Sequence, residues 1–314
     1  MQKPSALILY GPTGVGKTDL ALLLGQYIPV EIVNMDVGQF YTPLSIGTAK
    51  PDWKNSSIPH HLFDVFDTPV NCTVVEYRTM VFETINAITQ RAKLPILVGG
   101  SGFYLRSLLF PPCGPTVNEQ ENNQYNKQSH EDLWQMLHAI DPQRAAGISK
   151  TDTYRLRRAL DIWHATKTIP SLYEPSYDCQ LNFLLLHLTR DRNDLYTRIN
   201  ERVDVMLRSG WVDEVRKLIN TPWYDFIRSK KLIGYTEILD YIESKKEHIP
   251  VEVVNTIRQK TRNYAKRQET FWRKLEREIK DGILHTVNLT NADIHLYINE
   301  LLQQLSSIME KKYE

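Results

Sequence analysis

The sequence predicts an α/β fold with a parallel sheet of the P-loop NTPase type, a helical insertion and a helical C-terminal part. Three observations predict it. A strand pattern, a glycine-rich loop and a helical pattern follow one another at the N-terminus. Strand and helix patterns then alternate over the first hundred residues, as in sheets whose parallel strands are joined by helices. Finally, a strand pattern returns after a long helical stretch, at residues 183–188.

The first element is the apolar run 6–9, which predicts a buried strand, and residues 11–18 and the helical stretch 19–24 follow it. This order is typical of a phosphate-binding P-loop, because glycines let backbone N–H groups surround an anion at the start of a helix. We expect Lys17 to reach the outer phosphates of a di- or triphosphate and Thr18 to hold Mg²⁺ through its hydroxyl. The predicted phosphate cradle consists of Gly11, Pro12, Thr13, Gly14, Val15, Gly16, Lys17 and Thr18.

Two further strands and one helix are predicted before residue 100. Residues 30–35 form a strand pattern that ends at Asp36, a helix is predicted at 74–92, and a second strand pattern at 94–98 is soon followed by Ser101. The carboxyl ends of parallel strands lie on one edge of a sheet, so both polar side chains are expected beside the P-loop. An acid in this position could be a Mg²⁺ ligand, a general base or the cap of a turn.

The pattern changes beyond these strands. Breaker residues at 111–115 and polar residues at 118–128 predict a linker or a mobile surface segment. A helical pattern covers 130–164, the strand at 183–188 rejoins the sheet, and everything after 194 is predicted to be helical. The predicted organisation is a P-loop core at 1–114, a helical insertion at 115–178, and a return to the core with a helical C-terminal part at 179–314.

The composition is that of an ordinary globular protein, with 314 residues, 42% hydrophobic and 24% charged residues and a net charge of +1. No apolar stretch is long enough to span a bilayer, and a strand pattern starts too near Met1 to leave room for a signal peptide. We therefore expect a cytoplasmic protein without membrane association. Separately, we expect it to be a monomer. Cys72, Cys113 and Cys179 lack metal-ligand spacing and are expected to be buried or incidental thiols.

A basic segment lies near the C-terminus. Residues 258–274 contain seven basic side chains and a single acid, Glu269. On a helix, Arg258, Arg262 and Lys266 fall in one stripe beside an apolar face. Such clustering is typical of a surface that contacts a phosphate backbone, whereas the simpler alternative is a solvated charged helix.

A series of segments along nearly the whole chain resembles the tRNA dimethylallyltransferase family, also called tRNA isopentenyltransferases. The resemblance implies transfer of a dimethylallyl group from dimethylallyl diphosphate to the exocyclic amine of the adenosine 3′-adjacent to the anticodon, with release of diphosphate. It also implies tRNA as a partner. Behind the P-loop, the segments that carry the resemblance are 46–51, 59–62, 99–104, 155–160, 195–199, 234–235 and 261–268.

The same resemblance implies roles for individual residues. Asp36 corresponds to the general base, Thr13 to a threonine near the reacting centre, and Arg202 to an arginine that neutralises the diphosphate. Arg198 lies one helical turn from Arg202 on the same face and joins the diphosphate site. The implied tRNA contacts are Asp36, Val37, Gly38, Gln39, Ser101, Tyr154, Arg155, Leu156, Arg157, Arg158, Lys231, Arg262 and Lys266.

Three alternatives remain open at this point. A P-loop kinase could transfer phosphate from ATP to a small molecule or nucleotide, although the full series of segments argues against it. A close relative could prenylate free adenine nucleotides, whereas the long basic helix favours a polymeric RNA. A nucleotide-switched RNA-binding regulator is the third, and the lack of an Asn-Lys-x-Asp guanine-binding motif weakens it.

Overall fold

The computed structural model describes residues 3–113, 125, 128–173 and 175–310. The chain divides into two compact units, of which one comprises Met1–Leu109 with Cys179–Glu314 and the other Phe110–Asp178. The insertion predicted at 115–178 corresponds approximately to the second unit. Most of the polar segment predicted at 118–128 lies outside the described residues.

The first unit contains a six-stranded sheet in which every pairing is parallel. The spatial order is β3-β2-β4-β1-β5-β6, so β1 lies in the interior of the sheet between β4 and β5. Both faces of β1 and β4 are buried, which explains their unbroken apolar runs. The strands are β1 Ser5–Tyr10, β2 Val30–Asn34, β3 His60–His61, β4 Leu94–Gly99, β5 Asn182–Thr189 and β6 Ile283–Asn288.

The sequence does not predict two of these strands. The expectation that everything after residue 194 is helical is wrong, because β6 pairs with β5 at one edge of the sheet. Only Val287 of β6 is buried, so an edge strand with mostly accessible side chains lacks the apolar pattern that reveals its neighbours. β3 consists of only two residues, too few to produce a pattern.

Three helices follow the early strands: α1 Lys17–Leu24, α2 Val74–Gln90 and α3 Gly102–Leu109. The helix predicted at 74–92 is confirmed as α2, which begins with a reciprocal cap. Thr73 accepts a hydrogen bond from the backbone N–H of Glu76, and the Glu76 carboxylate accepts one from the Thr73 backbone at 2.8 Å. No helix in the described part of the chain is long and apolar enough to cross a membrane.

The second unit has its own small core, formed by three helices. α4 is His130–Ile140, α5 is Pro142–Ala146 and α6 is Thr153–Thr166. Leu133 and Leu156 are fully buried in this core. α5 begins after Asp141, whose carboxylate accepts a hydrogen bond from the backbone N–H of Arg144 at 2.9 Å and caps the helix.

The remaining helices belong to the first unit. A separate apolar cluster, centred on Trp211 and Tyr235, holds several of them together beside the sheet. The longest helix runs back to the carboxyl edge of the sheet, where Trp272 stacks on His187 of β5 with ring centroids 4.7 Å apart. These helices are α7 Arg192–Arg208, α8 Trp211–Arg216, α9 Trp223–Lys230, α10 Tyr235–Glu243, α11 Val251–Leu275 and α12 Ile294–Glu310.

Glu31 is a buried carboxylate near the start of β2, with two cationic neighbours and a histidine beside it. It accepts a hydrogen bond from Arg91 Nε at 3.0 Å, and Lys93 Nζ and His61 Nε2 lie 3.0 Å and 2.6 Å from its oxygens. The hydrogen bond from Arg91 is the largest of the effects that lower the pKa of Glu31 to about 2. In the unfolded chain the carboxyl has a pKa of about 4.3, so the ionised Glu31 stabilises the folded protein above that pH. This contribution to the free energy of unfolding is lost as pH falls through about 2.

We therefore expect the free energy of unfolding in urea to fall more steeply between about pH 5 and about pH 3 for the protein than for a Glu31→Gln variant. The variant keeps the side-chain volume but cannot lose a charge on acidification. Equal slopes for the two proteins would contradict a stabilising role for this carboxylate.

Candidate active site

The P-loop connects the carboxyl end of β1 to the first turn of α1. Gly14 and Gly16 adopt φ angles of 83° and 109°, in the left-handed region that favours glycine. The Lys17 ammonium folds back over the loop and donates to the carbonyl groups of Gly11 at 3.0 Å and Pro12 at 2.9 Å. Burial lowers the pKa of Lys17 to about 8. The loop therefore combines a tight curve, a helix start and a desolvated cation, as a phosphate site requires.

A cavity of about 370 Å³ opens beside the P-loop at the carboxyl edge of the sheet. It brings together many of the residues that the sequence predicts for the diphosphate and the reaction. These predicted residues are Thr13, Gly14, Gly16, Lys17, Thr18, Asp36, Gln39, Arg198 and Arg202. The lining also includes residues to which the sequence assigned no role, namely Asp19, Thr48, Ala49, Val98, Gly99, Glu201 and Val205.

Asp36 is partly buried in the wall of this cavity. Its Oδ1 accepts a hydrogen bond from the backbone N–H of Gly38 at 3.2 Å and caps the short 3₁₀ helix Val37–Phe40. Its Oδ2 has no hydrogen-bond partner among the described residues. Burial raises the pKa of Asp36, and the positive charge of Lys17 opposes that shift. Asp36 can therefore serve both as the cap of the turn and as a general base, since Oδ1 holds the turn while Oδ2 can accept a proton.

Asn34 holds the backbone of Asp36 in place. Its Oδ1 accepts a hydrogen bond from the Asp36 backbone N–H at 2.8 Å, and its Nδ2 donates to the carbonyl groups of Asp36 and Leu62 at 3.1 Å and 2.9 Å. The residue is fully buried. Sequence reasoning assigned Asn34 no role, although an asparagine two residues before an acid is a signal for such a turn.

Two arginines of α7 reach the P-loop. Arg202 Nη1 donates to the Thr13 hydroxyl at 3.3 Å, and Arg198 Nε donates to the Gly14 carbonyl at 3.0 Å. The arrangement places both cations at the loop, as the family resemblance implies. Sequence reasoning missed a third arginine, Arg190, whose Nε donates to the Val15 carbonyl at 2.8 Å.

Thr18 lies in the first turn of α1 and lines the cavity, together with Asp19 and Asp36. Their oxygens are the donors that Mg²⁺ prefers. The described residues contain no cluster of three or more His, Cys, Asp or Glu side chains that could hold a metal. Because Mg²⁺ is commonly bound by one or two protein ligands, phosphate oxygens and water, the residues present fit Mg²⁺ delivered with a diphosphate.

Gln39 is oriented by the backbone that follows it. Its Nε2 donates to the carbonyl groups of Thr48 at 3.1 Å and Ala49 at 3.3 Å. The backbone of residues 45–47, just before Thr48, donates three N–H groups to the carboxylate of Glu214 on α8, at 2.7–3.2 Å. A helix distant in sequence therefore fixes the edge of the cavity at which the Gln39 amide lies.

Comparison with known proteins identifies the family. A family model described as IPP transferase matches residues 39–275. The chain belongs to the IPP transferase family. It is 37% identical to the tRNA dimethylallyltransferase of Bacillus velezensis over 282 residues, which cover 87% of this chain and 88% of the relative. It is 33% identical to that of Alkaliphilus metalliredigens over 312 residues, 96% of this chain and 97% of the relative.

Solved structures agree with this assignment. The full-length tRNA isopentenylpyrophosphate transferase of Bacillus halodurans superposes with a TM-score of 0.68 and 29% identity, covering 99% of this chain and 98% of that one. A eukaryotic dimethylallyltransferase acting on tRNA gives a TM-score of 0.80 at 25% identity, covering 96% of this chain and 80% of that one. The parallel sheet with surrounding helices is therefore the fold of the IPP transferases.

Besides those on α6 and α11, four of the RNA contacts implied for this IPP transferase do not line the cavity. Ser101 caps α3, accepting a hydrogen bond from the Tyr104 backbone at 3.5 Å. Lys231 is exposed at the end of α9 in a left-handed conformation with φ of 50°. Val37 is exposed beside Asp36, and Gly38 donates its N–H to that carboxylate. Their contacts with RNA stay predictions.

Helix α11 of this IPP transferase has the apolar face that its sequence predicts, with one polar exception, Gln268, in the middle. Lys266 and Arg267 lie on the exposed side. The helix therefore packs on the body of the first unit while presenting cations outward. The buried residues of α11 are Ile257, Ala265, Gln268, Trp272 and Leu275.

The basic residues of α11 differ in their partners. Arg258 and Lys260 form ion pairs with acids of α7 and α10. Arg262 instead donates to the neutral amide oxygen of Asn200 on α7 at 2.7 Å, so no acid in the described part of the chain cancels its charge. Lys266 is exposed. Of these four cations, Arg262 and Lys266 are therefore better suited to contact a phosphate backbone.

The second unit carries the other implied RNA residues on α6. Tyr154 and the side chain of Arg155 are about two-thirds exposed, and Arg157 and Arg158 are partly buried. The prediction that Leu156 contacts RNA is corrected, because its side chain is fully buried in the core of the unit and cannot meet RNA. It supports the helix that displays its neighbours.

Proposed function

We propose that this protein transfers the dimethylallyl group of dimethylallyl diphosphate to the exocyclic amine of an adenosine in tRNA and releases diphosphate. One observation carries the proposal: Asp36 lines the same cavity as Lys17 and Arg202. A proton acceptor facing a diphosphate cradle is the arrangement that alkylation of an amine by an allylic diphosphate needs. Membership of the IPP transferase family and the names of the relatives support the same reaction.

The cationic side of the cavity serves the leaving group. As the bond between the allylic carbon and the diphosphate oxygen breaks, negative charge builds up on the departing diphosphate. Lys17, Arg198 and Arg202 stabilise that charge, and the hydroxyl of Thr13 holds the Arg202 guanidinium at the loop. Thr18 would hold Mg²⁺, which would supply a further positive charge beside the departing diphosphate.

The acidic side of the cavity serves the nucleophile. The exocyclic amine forms the new bond to the allylic carbon, and its proton passes to Oδ2 of Asp36. The raised pKa of Asp36 makes it a stronger base than an ordinary carboxylate. The adenosine must leave its stack to reach the cavity, at a cost of a few kcal/mol. Its position 3′ to the anticodon is proposed from the resemblance, with Gln39 at the cavity edge that meets the base.

The kinase alternative is not favoured, although the same loop could hold the phosphates of ATP. The family match extends over residues 39–275, well beyond a P-loop. The relatives are named dimethylallyltransferases, so the group they transfer is a dimethylallyl group and not a phosphate. The cytoplasmic location and the monomeric state expected from the sequence stay predictions.

A direct test uses labelled dimethylallyl diphosphate with unmodified tRNA, with ATP and free adenosine monophosphate offered in parallel reactions. We expect label in tRNA, little in the free nucleotide and no phosphate release from ATP. Phosphate release without prenyl transfer would favour the kinase. Label mainly in the free nucleotide would favour the relative that prenylates nucleotides.

The basic helix makes a separate prediction about tRNA affinity. Replacing Arg262 with glutamine and Lys266 with alanine should weaken tRNA binding and flatten its dependence on salt. The slope of log affinity against log salt should fall by roughly 0.7–0.9 for each lost phosphate contact. Lys246→Ala, at an exposed lysine outside α11, is the matched control and should leave the slope unchanged. Equal slopes for all three proteins would argue against α11 as the RNA surface.

A further inference from the structure

Gln268 is the polar residue in the middle of the buried face of α11, and only 4% of it is exposed. Its Oε1 accepts a hydrogen bond from the backbone N–H of Thr13 at 3.0 Å, and its Nε2 donates to the carbonyl of Gly100 at 2.8 Å. The Tyr10 hydroxyl donates to the Gln268 backbone carbonyl at 3.2 Å. A single side-chain amide therefore joins the P-loop to the loop between β4 and α3.

The space around Gly100 is independent evidence that the structure keeps a place for the Gln268 amide. A Cβ at Gly100 would overlap the Gln268 amide nitrogen. The backbone of Gly100 is not in the left-handed region, so the need for glycine there comes from the close approach of the amide and, at 2.9 Å, of the Gly11 carbonyl oxygen. The loop after β4 is thus shaped to receive the side chain of Gln268.

The anchoring of α11 does not depend on this amide alone. Trp272 stacks on His187 and contacts the Tyr10 ring, and Glu269 Oε1 lies 3.2 Å from His187 Nε2. With these contacts one turn or less from Gln268, the helix can stay docked when the amide is removed. The two hydrogen bonds of Gln268 are therefore available for a more specific purpose at the P-loop.

We propose that Gln268 is a positioning residue that fixes Thr13 for binding and departure of the diphosphate, a role that rests on the proposed function. The bond to Gln268 orients the Thr13 backbone, and the Thr13 hydroxyl in turn accepts a hydrogen bond from Arg202. Gln268 thereby sets the position of the arginine that meets the leaving group. It acts through these residues and does not itself line the cavity.

The test compares the effect of a substitution on KM for dimethylallyl diphosphate with its effect on the Kd for tRNA. Gln268→Met keeps the volume and removes both hydrogen bonds, so KM for dimethylallyl diphosphate should rise roughly 10- to 100-fold. The Kd for tRNA should change less than about twofold, since the helix stays docked. Thr270→Val, at an exposed position of the same helix, is the control and should change neither. Parallel losses of both affinities, or an unchanged KM, would overturn the proposal.

Gly100→Ala provides a second route to the same contact, because the added methyl group would displace the amide, while also lying 2.9 Å from the Gly11 carbonyl oxygen. A rise in KM at least as large is expected, and the double variant with Gln268→Ala should be no worse than Gly100→Ala alone. Additive losses would count against a shared contact. Calorimetric binding of inorganic diphosphate to the same variants tests the role of Gln268 even if no prenyl transfer is found, so the two proposals can fail separately.

Discussion

Asp36→Asn should reduce the rate of prenyl transfer by about 10²- to 10⁴-fold, the usual contribution of a general base. Asparagine keeps the shape of the side chain and an oxygen that can accept the Gly38 N–H, so the turn should survive. What is lost is the ability to take the proton of the exocyclic amine. Single-turnover transfer of labelled dimethylallyl to tRNA measures this step.

The binding of both substrates separates a lost base from a damaged site. We expect the affinities of Asp36→Asn for tRNA and for dimethylallyl diphosphate to stay within a few-fold of the original values. Asp52→Asn, an exposed carboxylate outside the cavity, is the control and should leave the rate unchanged. Transfer at an undiminished rate by Asp36→Asn would rule out this carboxylate as the base.

Lys17→Met should weaken the binding of dimethylallyl diphosphate by roughly 10²- to 10³-fold, as expected for removal of a desolvated charged partner. Methionine preserves the unbranched stem but cannot donate to the loop or to a phosphate. The affinity for tRNA should not fall with it, because the basic face of α11 is intact. Equilibrium binding of the two substrates distinguishes these outcomes, and a coupled loss of both would point to a misfolded loop.

The charge states of the same two residues predict the pH dependence of kcat/KM for dimethylallyl diphosphate. Asp36 must be ionised to accept a proton, and its raised pKa moves the acid limb above the ordinary carboxyl range. Lys17 must be protonated, and its pKa of about 8 predicts a decline as pH rises through that value. Lys17→Arg should remove the alkaline limb. A flat profile between about pH 7 and about pH 9 would contradict the assignment for Lys17.

The strands that could be predicted are those whose signal is local. β1, β2, β4 and β5 are buried on both faces, so β1, β4 and β5 appear as apolar runs and β2 as a mostly apolar run interrupted by Glu31. β6 could not be predicted, because an edge strand keeps accessible side chains and depends on β5 for its hydrogen bonds. The P-loop could be predicted because its glycines and its lysine follow one another within eight residues.

The residues that support the site could not be predicted, because their partners are distant in the sequence. Glu214 binds backbone N–H groups 167–169 residues away, and Gln268 binds a P-loop amide 255 residues away. No local pattern distinguishes such a glutamate or glutamine from others on a helix. Asn34 is intermediate, because its bond to Asp36 follows a known turn pattern while its bond to Leu62 does not.

The sequence by itself determined the interior strands of the sheet, the phosphate loop and the acid after β2, since periodicity, glycine spacing and strand ends act over a few residues. Only the tertiary structure decided that this acid keeps one carboxylate oxygen unbonded among the described residues, which cations of α11 remain unpaired with acids, and which amide holds Thr13. Those outcomes depend on side chains that meet only after the helices have packed on the sheet. Burial and hydrogen-bond partners are properties of that packing.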